Sequence, residues 1–125
     1  MKTLLLAGTL LLAGVKPGST APSPNNGVAS WYGEAHRGKP MANGSRFNPD
    51  KLTAASWFYP LGAKVKVTTS SPNREERAIT VTITDRGPAW RFVRRKRIID
   101  LTHAAFKELA DPDLGLVAVK VQRED

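Results

Sequence analysis

Two stretches of the chain alternate with a period of two. In Ala63 to Thr69 (AKVKVTT) Val65 and Val67 alternate with Lys64 and Lys66, and in Ala78 to Thr84 (AITVTIT) Ile79, Val81 and Ile83 alternate with alanine or threonine. Such spacing puts one apolar face toward a core, so both are expected to be half-buried strands. Ser70 to Glu76 (SSPNREE) between them reads as a turn, giving a hairpin. Asp85-Arg86-Gly87-Pro88 ends the second strand, because Gly and Pro do not continue a ladder. Val28 to Gly33 (VASWYG), Arg97 to Leu101 (RIIDL) and Gly115 to Gln122 (GLVAVKVQ) read as further strands. One helix is expected over Ala104 to Ala110, capped by Thr102, with Phe106 and Leu109 on its inner face and Asp111-Pro112-Asp113 as its stop. His36 to Asp50, dense in Gly, Pro and Asn, reads as a long surface loop. Several short strands around one small helix, without an internal repeat, point to a mainly β chain closed as a compact barrel.

The N-terminal residues are of another composition. Lys2 precedes the apolar run Leu4 to Val15, whose length suits the core of an export signal and falls short of a membrane-spanning helix. Ser19-Thr20-Ala21 offers a small-x-small cut site, so residues 1–21 are expected to be a signal peptide. Val15 stands where a lipidated Cys would be needed, so no stable membrane anchor is expected after cleavage. Pro22 to Gly27 (PSPNNG) reads as a linker, leaving 28–125 as the folded domain.

Composition narrows the chemistry. The chain has 125 residues, enough for one domain, and no Cys, which excludes disulfides, thiolate zinc sites and Cys nucleophiles. His36 and His103 are too far apart in sequence to form a local ligand pair, so neither a metal nor another cofactor is expected. The 19 Lys and Arg against 11 Asp and Glu give a net charge of +8. On an exported domain this excess points to anionic envelope polymers rather than to nucleic acid.

Four blocks carry a resemblance: Ala29-Ser30-Trp31-Tyr32-Gly33, Ala42-Asn43-Gly44, Leu52-Thr53-Ala54-Ala55, and Asp85-Arg86-Gly87-Pro88 followed by Ile98-Ile99-Asp100-Leu101. In this order and spacing they resemble the rare lipoprotein A family, the septal-ring lytic transglycosylases of bacterial envelopes, over Val28 to Val121. The resemblance implies a six-stranded double-psi β-barrel. It also implies endolytic cleavage of peptidoglycan glycan strands between N-acetylmuramic acid and N-acetylglucosamine, on strands without stem peptides, leaving 1,6-anhydro ends. The location implied is the periplasm or the extracellular space, and the expected state is a monomer. One proton donor can suffice for such a reaction, because the group that protonates the leaving oxygen can then take the proton of the sugar's own C6 hydroxyl.

The resemblance departs at two positions that usually carry the chemistry. The Glu after Ala-Asn-Gly is replaced by Ser45, and the His after Leu-Thr-Ala-Ala by Ser56; a Ser hydroxyl is too weak an acid to protonate a glycosidic oxygen. The catalytic candidates are therefore Asp85, Asp100 and Glu34, with His36 as a substitute imidazole. Each has a plainer reading: a turn aspartate, a helix-capping aspartate, a solvated loop glutamate and an exposed loop histidine. The expected substrate-binding residues are Trp31, Tyr32, Asn43, Ser45, Ser56, Trp57 and Arg86. Aromatic rings match the flat C–H faces of sugars, although at least half of Trp31, Tyr32, Trp57, Phe58, Tyr59 and Trp90 are needed for the core. Arg91, Arg94, Arg95, Lys96 and Arg97 form the densest basic run, readable as a solvated loop or as a site for wall carboxylates. Two other functions compete with cleavage: a non-catalytic, expansin-like wall-binding module, and an inhibitor or defence-type barrel. All these readings require the Trp-Tyr-Gly, Asn-Gly and Asp-Arg-Gly-Pro segments to gather around one groove.

Overall fold

The computed structural model of the protein describes residues 25–124. The expected signal peptide and the first half of the expected linker, residues 22–24, lie outside the described residues. Six strands, β1 (Asn26–Tyr32), β2 (Thr53–Ala55), β3 (Lys64–Thr69), β4 (Ala78–Asp85), β5 (Arg97–Thr102) and β6 (Val117–Arg123), close into a barrel in the order β1-β5-β2-β4-β3-β6. The chain is mainly β, as its alternation predicts. The β3–β4 hairpin is antiparallel with Val65 opposite Val81 and Val67 opposite Ile79. β6 pairs antiparallel with both β3 and β1, whereas β1–β5 and β2–β4 are parallel.

The interior follows from the alternation. Val65, Val67, Val81, Ile83, Ile99, Leu101, Val119 and Val121 are all buried, while their alternating neighbours Lys64, Lys66, Ala118 and Lys120 are exposed. Helix α2 (His103–Leu109) packs against the barrel through Ala105, Phe106 and Leu109. Its N-cap is Thr102, whose Oγ1 accepts from Ala105 N at 3.2 Å and donates to Lys51 O at 2.6 Å, tying the helix start to the loop before β2.

Three local features differ from the expectation. β1 starts at Asn26 rather than Val28, because Asn26 and Gly27 pair with Lys120 and Val119. Gly27 is required there: a Cβ would stand 2.5 Å from Lys96 O. β2 carries no alternation in its three residues and is held by neighbours on both sides. The basic run expected to be loop starts as a single helical turn, α1 (Trp90–Val93), which makes a second helix where one was expected. Lys96, at φ 70°, then turns the chain into β5. No helix among the described residues is long and apolar enough to cross a membrane.

Candidate active site

The pairing registers place four small or acidic residues in one row across the sheet. Ser30 of β1 is opposite Asp100 of β5, Asp100 is opposite Ala55 of β2, and Ala55 is opposite Asp85 at the end of β4. A bulge between Ala54 and Ala55 skips Thr84 and brings Asp85 into the row. With strands spaced about 4.8 Å apart, the two aspartate backbones stand roughly 10 Å from one another across Ala55. The Ser30 hydroxyl donates to Asp100 Oδ1. Gly87 passes over the middle of the row: a methyl on it would lie 3.4 Å from both Ala55 Cβ and Asp100 Oδ2, so any longer side chain would cover the acid.

The two carboxyl groups have different surroundings. Burial pushes the Asp100 carboxyl above the usual aspartate range and the charge of Asp85 adds to this, while the Ser30 hydroxyl, Arg97 and His36 pull it back. Asp85 uses Oδ1 to accept the backbone N–H of Ala42 at 2.9 Å and of Arg86 at 2.8 Å, leaving Oδ2 as the oxygen available to a ligand. Asn43 N also donates to Thr84 O at 3.1 Å, so the Asn-Gly segment is fastened to the end of β4.

Tyr32 lies on the same side of β1 as Ser30. Its ring stacks on Phe47 at 4.4 Å between centroids and meets His36 edge-on at 5.5 Å. The Tyr32 hydroxyl is buried and makes no hydrogen bond among the described residues. Burial raises its pKa far above that of a free phenol, and Asp85 and Asp100 raise it further, so it is held protonated as a donor. The Trp-Tyr-Gly, Asn-Gly and Asp-Arg-Gly-Pro segments thus meet at one end of the barrel.

Other candidates are placed elsewhere. Trp31, one residue from Tyr32, takes the opposite face of the strand, where it packs on the core, donates to Pro112 O at 2.9 Å and meets His103 edge-on. Glu34 is exposed and bound by Arg37, which also bridges to Asp50 at 3.0 Å; the Arg37 guanidinium holds the Glu34 carboxyl below its usual range. A recess of about 290 Å³ lies between Trp31, Glu34, Asp50 and His103, away from the row. Ser56 is fully buried, accepting from Phe58 N at 3.0 Å. The Arg86 Nη1 donates to Ser56 O at 2.7 Å and Tyr59 O at 2.6 Å, clamping the loop after β2 to the end of β4. Asn43 Oδ1 accepts from the Ser45 backbone and hydroxyl, and both residues line a recess of about 330 Å³ with Met41, Arg46, Lys51, Thr82 and Thr84.

Two residues of the site lacked a clear sequence signal. Ser30 is a member of the row because it alternates with Ala29 and Trp31, a pattern the short β1 segment does contain. Trp90, in the basic run, stacks on Trp57 with centroids 4.9 Å apart and planes 22° from parallel. A cleft of about 570 Å³ lies between Arg74, Arg77, Lys107 and Asp111 and includes no residue of the row. No group of His, Asp or Glu among the described residues is arranged to hold a metal ion.

Comparisons with known proteins place the chain among its relatives. A family model described as lytic transglycolase matches residues 25–121. The chain is 39% identical over 110 residues to the endolytic peptidoglycan transglycosylase RlpA of Rickettsia felis, covering 86% of this chain and 45% of that protein. It is 42% identical over 90 residues to a probable endolytic peptidoglycan transglycosylase RlpA of Synechocystis, covering 72% of this chain and 26% of that one. It therefore spans less than half the length of these relatives. Among solved structures it is similar to the Streptomyces papain inhibitor, with a TM-score of 0.55 and 27% identity over 78% of this chain and 93% of that one. With the barrel order, the four sequence blocks and the matched family all in agreement, the chain belongs to the RlpA-like double-psi β-barrel family of lytic transglycosylases.

Proposed function

We propose that this barrel is an exported endolytic transglycosylase that cleaves the bond between N-acetylmuramic acid and N-acetylglucosamine in peptide-free peptidoglycan strands. The observation that carries this reading is the pair Asp100 and Asp85, one carboxyl half-buried beside Ser30 and the other anchored through a single oxygen. Burial inclines the Asp100 carboxyl toward its protonated form, and it gives its proton to the glycosidic oxygen, which leaves as a hydroxyl of N-acetylglucosamine. Asp85, with Oδ2 free of the backbone N–H groups that hold Oδ1, faces the positive charge that develops on the muramic ring. The Asp100 carboxylate then takes the proton of the C6 hydroxyl as O6 bonds to C1. No water is consumed, and the acid is regenerated. The working unit is a monomer in the periplasm or extracellular space, released from residues 1–21 and not anchored in the membrane. Glu34, held by Arg37 away from the row, has no part in this scheme.

Incubation with peptide-free strands followed by mass spectrometry tests the reading. Anhydro ends are expected from the unaltered protein and are expected to vanish in Asp100→Asn and in Asp85→Asn; intact glycan after prolonged incubation at several pH values overturns it. A second reading, a non-catalytic wall-binding module, is favoured by Ser45 and Ser56 in place of Glu and His. Its signature is sedimentation with sacculi and no new sugar ends.

A further inference from the structure

The large aromatic surface that the fold leaves in solvent is the Trp57–Trp90 stack. Trp57 is 38% exposed and Trp90 52% exposed, and Trp57 Nε1 donates to Pro88 O at 2.6 Å, which fixes the pair against the loop that leaves Asp85. Placing two indoles in water is unfavourable unless they have something to cover. The chain that carries Trp90 is also one-sided in charge: residues 86–99 hold Arg86, Arg91, Arg94, Arg95, Lys96 and Arg97 and no acidic residue.

These cations are not equivalent. Arg86 is engaged by two carbonyls, and Arg91 and Arg97 both lie on the Phe92 ring, at 4.6 and 4.1 Å. Arg94 and Arg95 are exposed and no carboxylate among the described residues lies within ion-pair distance of either. Arg94 follows Trp90 by one helical turn, its N–H donating to Trp90 O at 3.1 Å, the spacing that sets two residues on one face of a helix.

We infer that the Trp57–Trp90 stack and the Arg94–Arg95 pair form a subsite for a carboxylate-bearing sugar, one that recognises the free lactyl carboxylate of a muramic acid residue next to the ring being cleaved. The inference rests on the glycan lying over the Asp100–Asp85 row. Trp57 is two residues beyond Ala55 and Pro88 three beyond Asp85, so a strand leaving the row passes onto the indoles. The apolar face of a pyranose covers Trp90, and the lactyl carboxylate, freed from its amide when the stem peptide is absent, meets a guanidinium. An N-acetylglucosamine ring presents the same face without the charge.

The test measures binding by calorimetry in the Asp100→Asn background, so that cleavage does not intervene, with three probes: chitohexaose, peptide-free peptidoglycan strands, and the same strands with their carboxyls amidated. Peptide-free strands are expected to bind at least fivefold more tightly than the other two at low salt, a preference that fades at high salt. Arg94→Gln with Arg95→Gln is expected to abolish that preference and leave chitohexaose binding unchanged. Trp90→Ala is expected to weaken all three about tenfold, and Trp90→Tyr to restore most of it. Equal binding of amidated and free-acid strands, or unchanged binding in Trp90→Ala, overturns the inference. If the strands bind as stated but the unaltered protein yields no anhydro ends, the cleavage reading falls and the subsite stands.

Discussion

Replacing Arg86 by Met separates a glycan-contacting residue from one that holds the scaffold. The substitution keeps the aliphatic stem and removes the donor that serves both Ser56 O and Tyr59 O. Hydrogen bonds to a charged partner contribute about 1.5–3 kcal/mol each. Arg86 is only half-buried, so water can partly replace the guanidinium, and the lower end applies to both bonds: about 3 kcal/mol in total. At about 4–8 °C per kcal/mol for a domain near this size, the melting temperature should fall by about 15 °C. Circular dichroism melts give the shift directly, and glycan binding measured well below the lowered midpoint should be weakened less than stability is. A variant that melts with the unaltered protein yet loses glycan binding would refute the clamp and return Arg86 to the ligand.

Three further outcomes follow from the packing and the acid row. Burial raises the Asp100 pKa, so the folded chain retains a proton that the unfolded chain releases. Stability from this group is therefore fully present below the ordinary value of 3.8, falls as pH rises toward the raised value, and is constant above it. Asp100→Asn should accordingly match the unaltered protein in urea midpoint near pH 3.5 and exceed it at pH 7; the reverse order contradicts the burial of the carboxyl. Phe106→Ala, which empties a fully buried position between α2 and the barrel, should cost about 3–5 kcal/mol in urea denaturation. Thr102→Ala removes the α2 cap and the bond to Lys51 O and should cost about 1–2 kcal/mol in the same assay.

Elements with one wet face were legible in the sequence. β3 and β4 alternate because Lys64, Lys66, Thr80 and Thr82 stand on the outer side between buried Val65, Val67, Val81 and Ile83, and α2 announces itself through Thr102, Phe106 and Leu109. β2 was silent as a strand, since Thr53–Ala55 is defined only by the strands on either side of it. The turn at Trp90–Val93 was hidden because its residues bury nothing, and a basic run without an apolar stripe carries no period. At the site, sequence proximity misled where alternation decides: Trp31 and Tyr32 are neighbours in the chain and belong to opposite faces. Glu34 follows the Trp-Tyr-Gly block, but Arg37, three residues on, claims it. The row of Ser30, Asp100, Ala55 and Asp85 comes from four strands and depends on a bulge, a register detail that no local pattern records.

The place of β1 in the barrel governs when the molecule can finish folding. Its hydrogen-bonding partners are β5 on one side and β6 on the other, so the first strand of the barrel waits for its last two. Closing such long loops precedes any reward from the contacts they make, which slows the process. On the ribosome the nascent polypeptide therefore stays unsealed and threadable until Val117–Arg123 has emerged.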